Sequence, residues 1–383
     1  MLHVSPYFPP ARRYGGPPAA VLGLCHGLQR AGDIVEVITT AADGVDTLPA
    51  SPPERDFEGV PVHYAATAFP RRFFGARVRA PLAAALKRAD ICHIHGIWNV
   101  PEWWASRLAR AARVPYVISP RGMLQPNAVA RGRWRKAAAF ALVDRRNLAG
   151  AARLHATSEQ EADALRALEL AVPIVVVPNG VDLANAGAPL CDVAARSGIP
   201  GDAFVILFLG RMHRIKRLDL LADAFAEVAA THPNAHLVLA GPDEQGLIPG
   251  VLRRLSGVTG RVHSVGAVYG ADKWALLRGA AVMVQCSDSE SFGIAVAESL
   301  AAGVPAIATR TCPWRELESR QCGFWVEQNG PAIAAAIRVL ADDPVRRVAM
   351  GERAARFARE AFGWDPIATT MHALYAGAVG AAG

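Results

Sequence analysis

The stretch FVILFLGRMHRIKR, Phe204 to Arg217, decides the reading of the chain. A run apolar at every position suits a strand buried on both faces, as in a parallel sheet. Gly210 and a basic turn then lead into a helical stretch from Leu218 to about Ala230. The same unit recurs downstream, where HLVLAG, RVHSVG, VMVQCS and PAIAT are each separated by helical segments. Upstream, LHVS, IVEVIT, VPVHYAA, ICHIHG, YVIS, RLHATS and IVVVP alternate with helices expected at Gly16–Ala31, Pro81–Arg88, Glu102–Arg113, Arg133–Leu148 and Glu159–Leu170. Strands alternating with helices predict an α/β chain with two doubly wound, Rossmann-like parallel sheets. The punctuation PNGVD, Pro178 to Asp182, divides them. The expected organisation is residues 1–178, residues 179–362, and a terminal helix in 363–383 that packs back onto the first domain. Two such domains facing one another create a cleft, and ligands of open parallel sheets sit beyond the carboxyl ends of the strands.

At 383 residues with 52% apolar content, the chain is long enough for two cores. Its six cysteines show no C-x-x-C pair and no framework spacing, so buried free thiols are expected. The start, MLHVSPYFPPARRYGG, has no charged segment followed by an apolar one, and no apolar run reaches the roughly 18 residues of a spanning helix. These features predict a cytoplasmic protein, at most attached to a membrane surface. The net charge of +7 is uneven: Met1 to Pro178 holds 22 Lys and Arg against 14 Asp and Glu, and Arg71 to Arg146 holds 16 against 3. Such a block favours an anionic partner such as phospholipid headgroups, a pyrophosphate-bearing acceptor, or nucleic acid.

Candidate chemistry lies in the loops after strands. Arg211 and Lys216 are two cations in a strand-to-helix turn, suited to a diphosphate or to plain solvation. After VMVQCS come Glu290 and, on the following helix, Glu298. Ionised carboxylates accept two hydrogen bonds at once and suit vicinal sugar hydroxyls, although each alone also reads as an ordinary helix charge. Phe292, Gly293 and Ile294 are expected to present backbone amides at the helix start.

Together, Gly210-Arg211 with Lys216, SESFGIAVAE from Ser289 to Glu298, and AAGVP from Ala301 to Pro305 closely resemble the donor-binding half of glycosyltransferase family 4, whose E-x7-E pair is matched by Glu290 and Glu298. Further matches are Gly15-Gly16, HGIW at His95–Trp98, SPRGML at Ser119–Leu124, VPNGVD and FGWDPIA, so the resemblance spans nearly the whole chain. It implies a GT-B fold and a retaining transfer from a nucleotide sugar to a saccharide acceptor. It further implies that Arg211 and Lys216 hold the donor diphosphate, Glu298 the ribose and Glu290 the transferred sugar. Gly16 would approach the phosphates, and the Val265–Val268 loop, with Val268, the nucleobase.

The resemblance leaves one role open. Family members often carry a histidine after the fifth strand, where this chain has Arg121; His95, after the fourth, is the other candidate. No D-x-D triplet is present, so no metal and no other cofactor is expected, with Arg211, Lys216 and the helix start neutralising the leaving group. The basic block interleaves with Phe73, Phe74, Trp98, Trp103, Trp104 and Trp134, which suits an anionic leaflet and a polyprenyl-pyrophosphate-linked acceptor. No nucleic-acid module lies there. A hydrolysing nucleotide-sugar epimerase and a non-catalytic assembly subunit are the competing readings, and the phosphate and carboxylate sets argue against both.

Overall fold

The computed structural model describes residues 1–11, 13–48, 54–68, 77–130, 133–186 and 198–380. The chain divides into two compact units, Met1–Gly180 with Trp364–Gly383, and Val181–Gly363.

The first unit is built on an eight-stranded sheet. Its strands are β1 (Leu2–Val4), β2 (Glu36–Thr40), β5 (Glu54–Phe57), β6 (Val60–Ala65), β7 (Cys92–His95), β8 (Tyr116–Ser119), β9 (Arg153–Ala156) and β10 (Ile174–Val176); β3 (Ala42–Asp43) and β4 (Asp46–Thr47) form a separate small hairpin. The order is β10-β9-β8-β7-β1-β2-β6-β5, parallel except for the antiparallel edge strand β5. Leu2, His3 and Val4 of the short β1 register with Cys92, His93 and Ile94. The central strands are buried throughout, yet they carry His3, His93, His95 and His155 among the aliphatics. Buried imidazoles in central strands must find partners within the fold.

The terminal helix Trp364–Gly380 belongs to this unit and packs on the helix Gly16–Arg30. Small residues make room for it. A Cβ on Gly23 would stand 2.3 Å from the Trp364 ring, and one on Gly27 would stand 2.9 Å from the Cβ of Ala368. Arg30 and Asp365 close the contact with an ion pair at 2.7 Å.

The single basic helix expected over Arg133–Leu148 is instead three pieces: α-helices Arg133–Ala139 and Arg145–Ala149 flank a π-helical turn, Phe140–Asp144. The wider turn swings Asp144 into the interior, where its Oδ1 accepts from the Trp103 indole at 2.9 Å, and it leaves Leu142 80% exposed. The helix from Glu159 stops at Arg166 rather than Leu170. Arg71, Phe73, Phe74, Arg131 and Cys191 lie outside the described residues, as do the side chains of Arg133, Trp134 and Arg135.

The second unit holds a six-stranded, wholly parallel sheet of β11 (Phe204–Leu209), β12 (Ala235–Ala240), β13 (Val262–Gly266), β14 (Val282–Gln285), β15 (Ala306–Thr309) and β16 (Gly323–Val326), in the order β13-β12-β11-β14-β15-β16. Phe204, Ile206 and Phe208 point into one core layer, and Val205, Leu207 and Leu209 into the other. That two-sided burial is why this strand is apolar at every position. The order reverses at β11 and β14, so the loops after these two strands meet at the topological switch point. Gly241 allows the β11 and β12 ends to converge, since a Cβ there would lie 1.9 Å from the Gly210 carbonyl. The five described cysteines, Cys25, Cys92, Cys286, Cys312 and Cys322, are free and buried.

Candidate active site

In the second unit the two switch-point loops are bonded together, with the Asp288 amide donating to the Ile215 carbonyl at 2.8 Å. That junction brings Lys216 onto Glu290 as an ion pair. Glu290 Oε1 also accepts from Gln285 Nε2 at 2.7 Å and Ser287 Oγ at 2.8 Å. Both partners are mostly buried, the side chains being 20% and 13% exposed. Beside them Arg217, in the left-handed region at φ 52°, bonds Asp219 and Asp288. Hydrogen bonds donated to Asp219, then to Asp288, hold its guanidinium more firmly charged than usual. Arg211 turns the other way, to Glu244 at 3.3 Å.

Glu298 lies on the helix Ile294–Ala301 and is paired with Lys273 of the helix Gly270–Gly279. No motif pointed to Lys273, whose role arises only when the two helices pack. Gly293 caps Glu298's helix at φ 85°, and a Cβ there would meet the Trp314 indole nitrogen at 2.8 Å. The helix therefore begins at Ile294, and while the Val296 amide already donates to the Gly293 carbonyl at 2.9 Å, those of Ile294 and Ala295 precede any intrahelical acceptor. Phe292, expected to present its backbone amide, also has a structural part in the core. Its ring is core, packed on Trp314 and Phe362, and its carbonyl accepts from the Trp314 indole. Val268 is partly buried against the same core, just past Gly266 at φ 69°.

In the first unit the positive φ falls on Gly15, at 76°, while Gly16 opens the helix. The two candidates for the open histidine role are one assembly: Arg121 Nη2 donates to His95 Nδ1 at 2.9 Å, and Arg121 Nη1 donates to Asn179 Oδ1. Burial, followed by the Arg121 charge, pushes His95 well below the usual imidazole range. Burial likewise takes His3 and His155 down to about 3 and holds His93 low.

Neutral rings fix the proton positions. His155 Nε2 faces the Val177 carbonyl at 2.8 Å and must donate, so its Nδ1 accepts from Ser119 Oγ. Ser119 then accepts from His93 Nε2 at 2.6 Å, and His93 Nδ1 accepts from the Tyr375 hydroxyl at 2.6 Å. In the second chain His95 Nδ1 is taken by Arg121, so its Nε2 donates to His3 Nδ1 at 3.0 Å. The His3 Nε2 hydrogen is left without an acceptor among the described residues.

One ring nitrogen from each of His3, His93 and His95 lies within 4.8 Å of the others, a spacing compatible with a divalent cation. The neighbouring Arg121 charge opposes a cation there, and the hydrogen bonds engage every nitrogen of the three except His3 Nε2.

A third cluster surrounds the HGIW loop. Glu102 Oε1 accepts from Asn99 Nδ2 at 2.8 Å, while Glu102 Oε2, Asp144 Oδ2 and the Trp98 indole nitrogen are buried without partners. Burial raises the Glu102 carboxyl to about 8 and Asp144 to about 6.

Residues 15–180 match the model described as glycosyl transferase 4-like domain, and residues 192–357 match glycosyl transferases group 1. A D-inositol 3-phosphate glycosyltransferase of Kineococcus radiotolerans is 32% identical over 333 residues, covering 80% of this chain and 76% of that one. The chain belongs to glycosyltransferase family 4. A D-inositol 3-phosphate glycosyltransferase of Catenulispora acidiphila is also 32% identical, over 90% of this chain and 86% of its own. Among solved structures, sucrose-phosphate synthase from Thermosynechococcus elongatus superposes with TM-score 0.76 at 22% identity, covering 99% of both chains. Anabaena HepE in complex with UDP and glucose gives 0.76 at 20%, covering 98% of both chains. The fold of this family 4 enzyme is GT-B, and it is a nucleotide-sugar glycosyltransferase.

Proposed function

We propose that this family 4 enzyme is a retaining, metal-independent hexosyltransferase. On this reading it moves a sugar from a nucleoside diphosphate sugar to a saccharide acceptor carried on a polyprenyl pyrophosphate, at the cytoplasmic face of the membrane, in bacterial surface polysaccharide assembly. The observation that carries the donor half is the joining of Lys216 to Glu290 at the switch point, with Glu298 paired nearby on the next helix.

The donor diphosphate draws Lys216 and Arg211 from their carboxylates, and the first-turn amides after Gly293 supply further donors. Glu290, freed from Lys216, then accepts from the sugar hydroxyls, and Glu298, which stays paired with Lys273, accepts from the ribose hydroxyls with its remaining lone pairs. The bond between the anomeric carbon and the diphosphate oxygen breaks, and its electrons leave with the nucleoside diphosphate. The acceptor oxygen bonds to the same face of the ring, and its proton passes to a phosphate oxygen of the leaving group. No carboxylate is required as nucleophile, which suits a Glu290 already committed to several donors.

The membrane half is supported by a groove of about 360 Å³ lined by Trp103, Trp104, Arg107, Arg110, Leu142 and Arg146 among others. Arg79 and Arg107 stack over Trp104, so cations and aromatics share one surface. No helix among the described residues is long and apolar enough to cross a membrane. The curated relatives are named for a soluble phosphorylated acceptor, D-inositol 3-phosphate, and such an acceptor is the alternative to a lipid-linked one.

The deciding experiment is a panel of nucleotide sugars tested for thermal stabilisation of the protein and for protein-dependent release of the nucleoside diphosphate. At least one donor should do both. If none does, or if an epimerised nucleotide sugar accumulates without acceptor, the transfer reading is wrong.

A further inference from the structure

Arg121 raises a question of charge balance. It follows β8 at φ 57° and is succeeded by Gly122 at φ 76°, a turn that an arginine enters only at some strain. The turn is held by Glu161, whose Oε1 accepts the Gly122 amide and whose Oε2 accepts from the amide and hydroxyl of Thr157 at 2.8 and 2.6 Å. Glu161 is thus the carboxylate that acts most strongly on Arg121, yet its hydrogen bonds go elsewhere. Among the described residues Arg121 itself bonds the neutral Asn179 amide oxygen and the neutral His95 ring. Its Nε is buried and has no acceptor among the described residues. Among the described residues no carboxylate forms an ion pair with it.

The surroundings intensify the imbalance. His3, His93, His95 and His155 are all neutral, and the proton bookkeeping of the two chains ends at a second donor without an acceptor, His3 Nε2. Arg121 Nε and His3 Nε2 are thus two buried N–H donors without acceptors among the described residues, and such donors beside a cation make a poor resting arrangement unless an anion completes it. The planar fork of a guanidinium matches phosphate or carboxylate oxygens with two parallel hydrogen bonds. The excess positive charge of residues 1–178, 22 basic against 14 acidic, adds a long-range attraction of the same sign.

We propose that Arg121, seated on His95 and Asn179, is an anion site in the first unit that receives a phosphate carried by the acceptor. The proposal rests on the transferase reading above and deepens it by naming the acceptor class: a phosphomonoester or diphosphate, in preference to a neutral saccharide. His3 acts through His95 as a positioning residue, setting the tautomer that lets His95 Nδ1 hold the guanidinium.

Inorganic pyrophosphate, titrated calorimetrically into the full chain, is the probe. Two sites per chain are expected, one removed by Arg121→Gln and the other by Lys216→Met. The Arg121-dependent site should still titrate when the protein is saturated with whichever of UDP, GDP or ADP stabilises it most. Arg121→Lys, which keeps the charge but loses the fork, should weaken that site by roughly tenfold or more; it also serves if the Gln variant does not fold. With phosphorylated and phosphatase-treated forms of one acceptor, the wild-type preference for the phosphorylated form should shrink by at least about tenfold in the Arg121 variants. Retention of both pyrophosphate sites in Arg121→Gln overturns the proposal. So does competition by the nucleoside diphosphate for the Arg121 site, which would assign the anion to the donor. If instead Lys216→Met leaves both sites intact, the donor reading fails while the anion site stands.

Discussion

Changing Lys216 to Met, Glu290 to Gln, and both together should separate stability from activity. Lys216 and Glu290 are ion-paired with 20% and 13% of their side chains exposed, and Glu290 Oε1 takes two further hydrogen bonds, from Gln285 and Ser287. Removing one partner of a fully buried pair costs about 3 to 5 kcal/mol, because the other charge is stranded. Partial exposure and the two remaining donors reduce this for Lys216→Met to about 1 to 2 kcal/mol. In a unit of this size that is a fall of roughly 2–8 °C in Tm. Glu290→Gln strands a flexible ammonium that can turn to water, so its penalty should be smaller, about 0.5–1 kcal/mol. The double variant has no stranded charge and should melt within about 1 kcal/mol of the wild type.

Turnover should behave otherwise. A cation aimed at the leaving diphosphate contributes about 10²–10³ in rate, so Lys216→Met and the double variant should both be lowered by that amount at saturating donor. The assays are calorimetric melting and nucleoside diphosphate release with acceptor present. Recovery of turnover in step with Tm in the double variant would refute the argument and reduce the pair to a strut between two loops.

Three other outcomes follow from the same geometry. Glu298→Gln and Lys273→Met should each raise the donor KM about tenfold with little change in kcat, and the double variant should be no worse than either single one, since the two side chains act as one contact; additive losses would separate them. Stability should peak between about pH 6 and 7. Below the unfolded imidazole value of 6.5, the unfolded state takes up protons that His3, His93, His95 and His155 refuse, and above 4.5 the unfolded state releases a proton that Glu102 keeps until about 8, each group contributing up to about 1.4 kcal/mol per pH unit. Glu102→Gln should flatten the alkaline limb and, because the Glu102 contribution already runs from pH 4.5, steepen the acid limb above that pH; an unchanged alkaline limb in melts from pH 5 to 9 would contradict the burial argument. Sedimentation with vesicles should show binding that requires anionic lipid, weakens with salt and falls when Arg107, Arg110 and Arg146 are changed to Gln; equal binding to neutral vesicles would favour a soluble acceptor.

The sheets were legible because strands buried on both faces, such as Phe204–Leu209, leave a continuous apolar run, and PNGVD marks the place where one sheet gives way to the next. Arg211, Lys216, Glu290 and Glu298 were legible as residue types at motif spacing. Their pairing was not, because it depends on which loops meet at the switch point. Lys273 left no signal, since its partner lies 25 residues away on another helix. The π-helical turn escaped because one wider turn leaves the helical periodicity of its neighbours almost unchanged. The short strands β3 and β4 have only two residues each, too few for an alternation to be read. The histidine cluster was invisible for a different reason: His3, His93 and His155 sit on three strands far apart in sequence, and only parallel registration makes them neighbours.

The two units manage charge in opposite ways. In the second, each candidate carboxylate is matched by a lysine, so on the proposed reading an arriving diphosphate would meet cations able to exchange one anionic partner for another, and the carboxylates would find hydroxyl donors on the same ligand. Exchange of this kind leaves no charge stranded at any stage, which permits tight donor binding without a large desolvation penalty. In the first unit Arg121 forms no ion pair among the described residues: it bonds a neutral imidazole and a neutral amide, while Glu161, the carboxylate acting on it most strongly, spends its hydrogen bonds on Gly122 and Thr157. A site built like that would gain a directly bonded counter-charge from an anionic ligand. Its occupancy should therefore discriminate strongly between charged and neutral acceptors, where the paired lysines of the second unit discriminate among donors by shape.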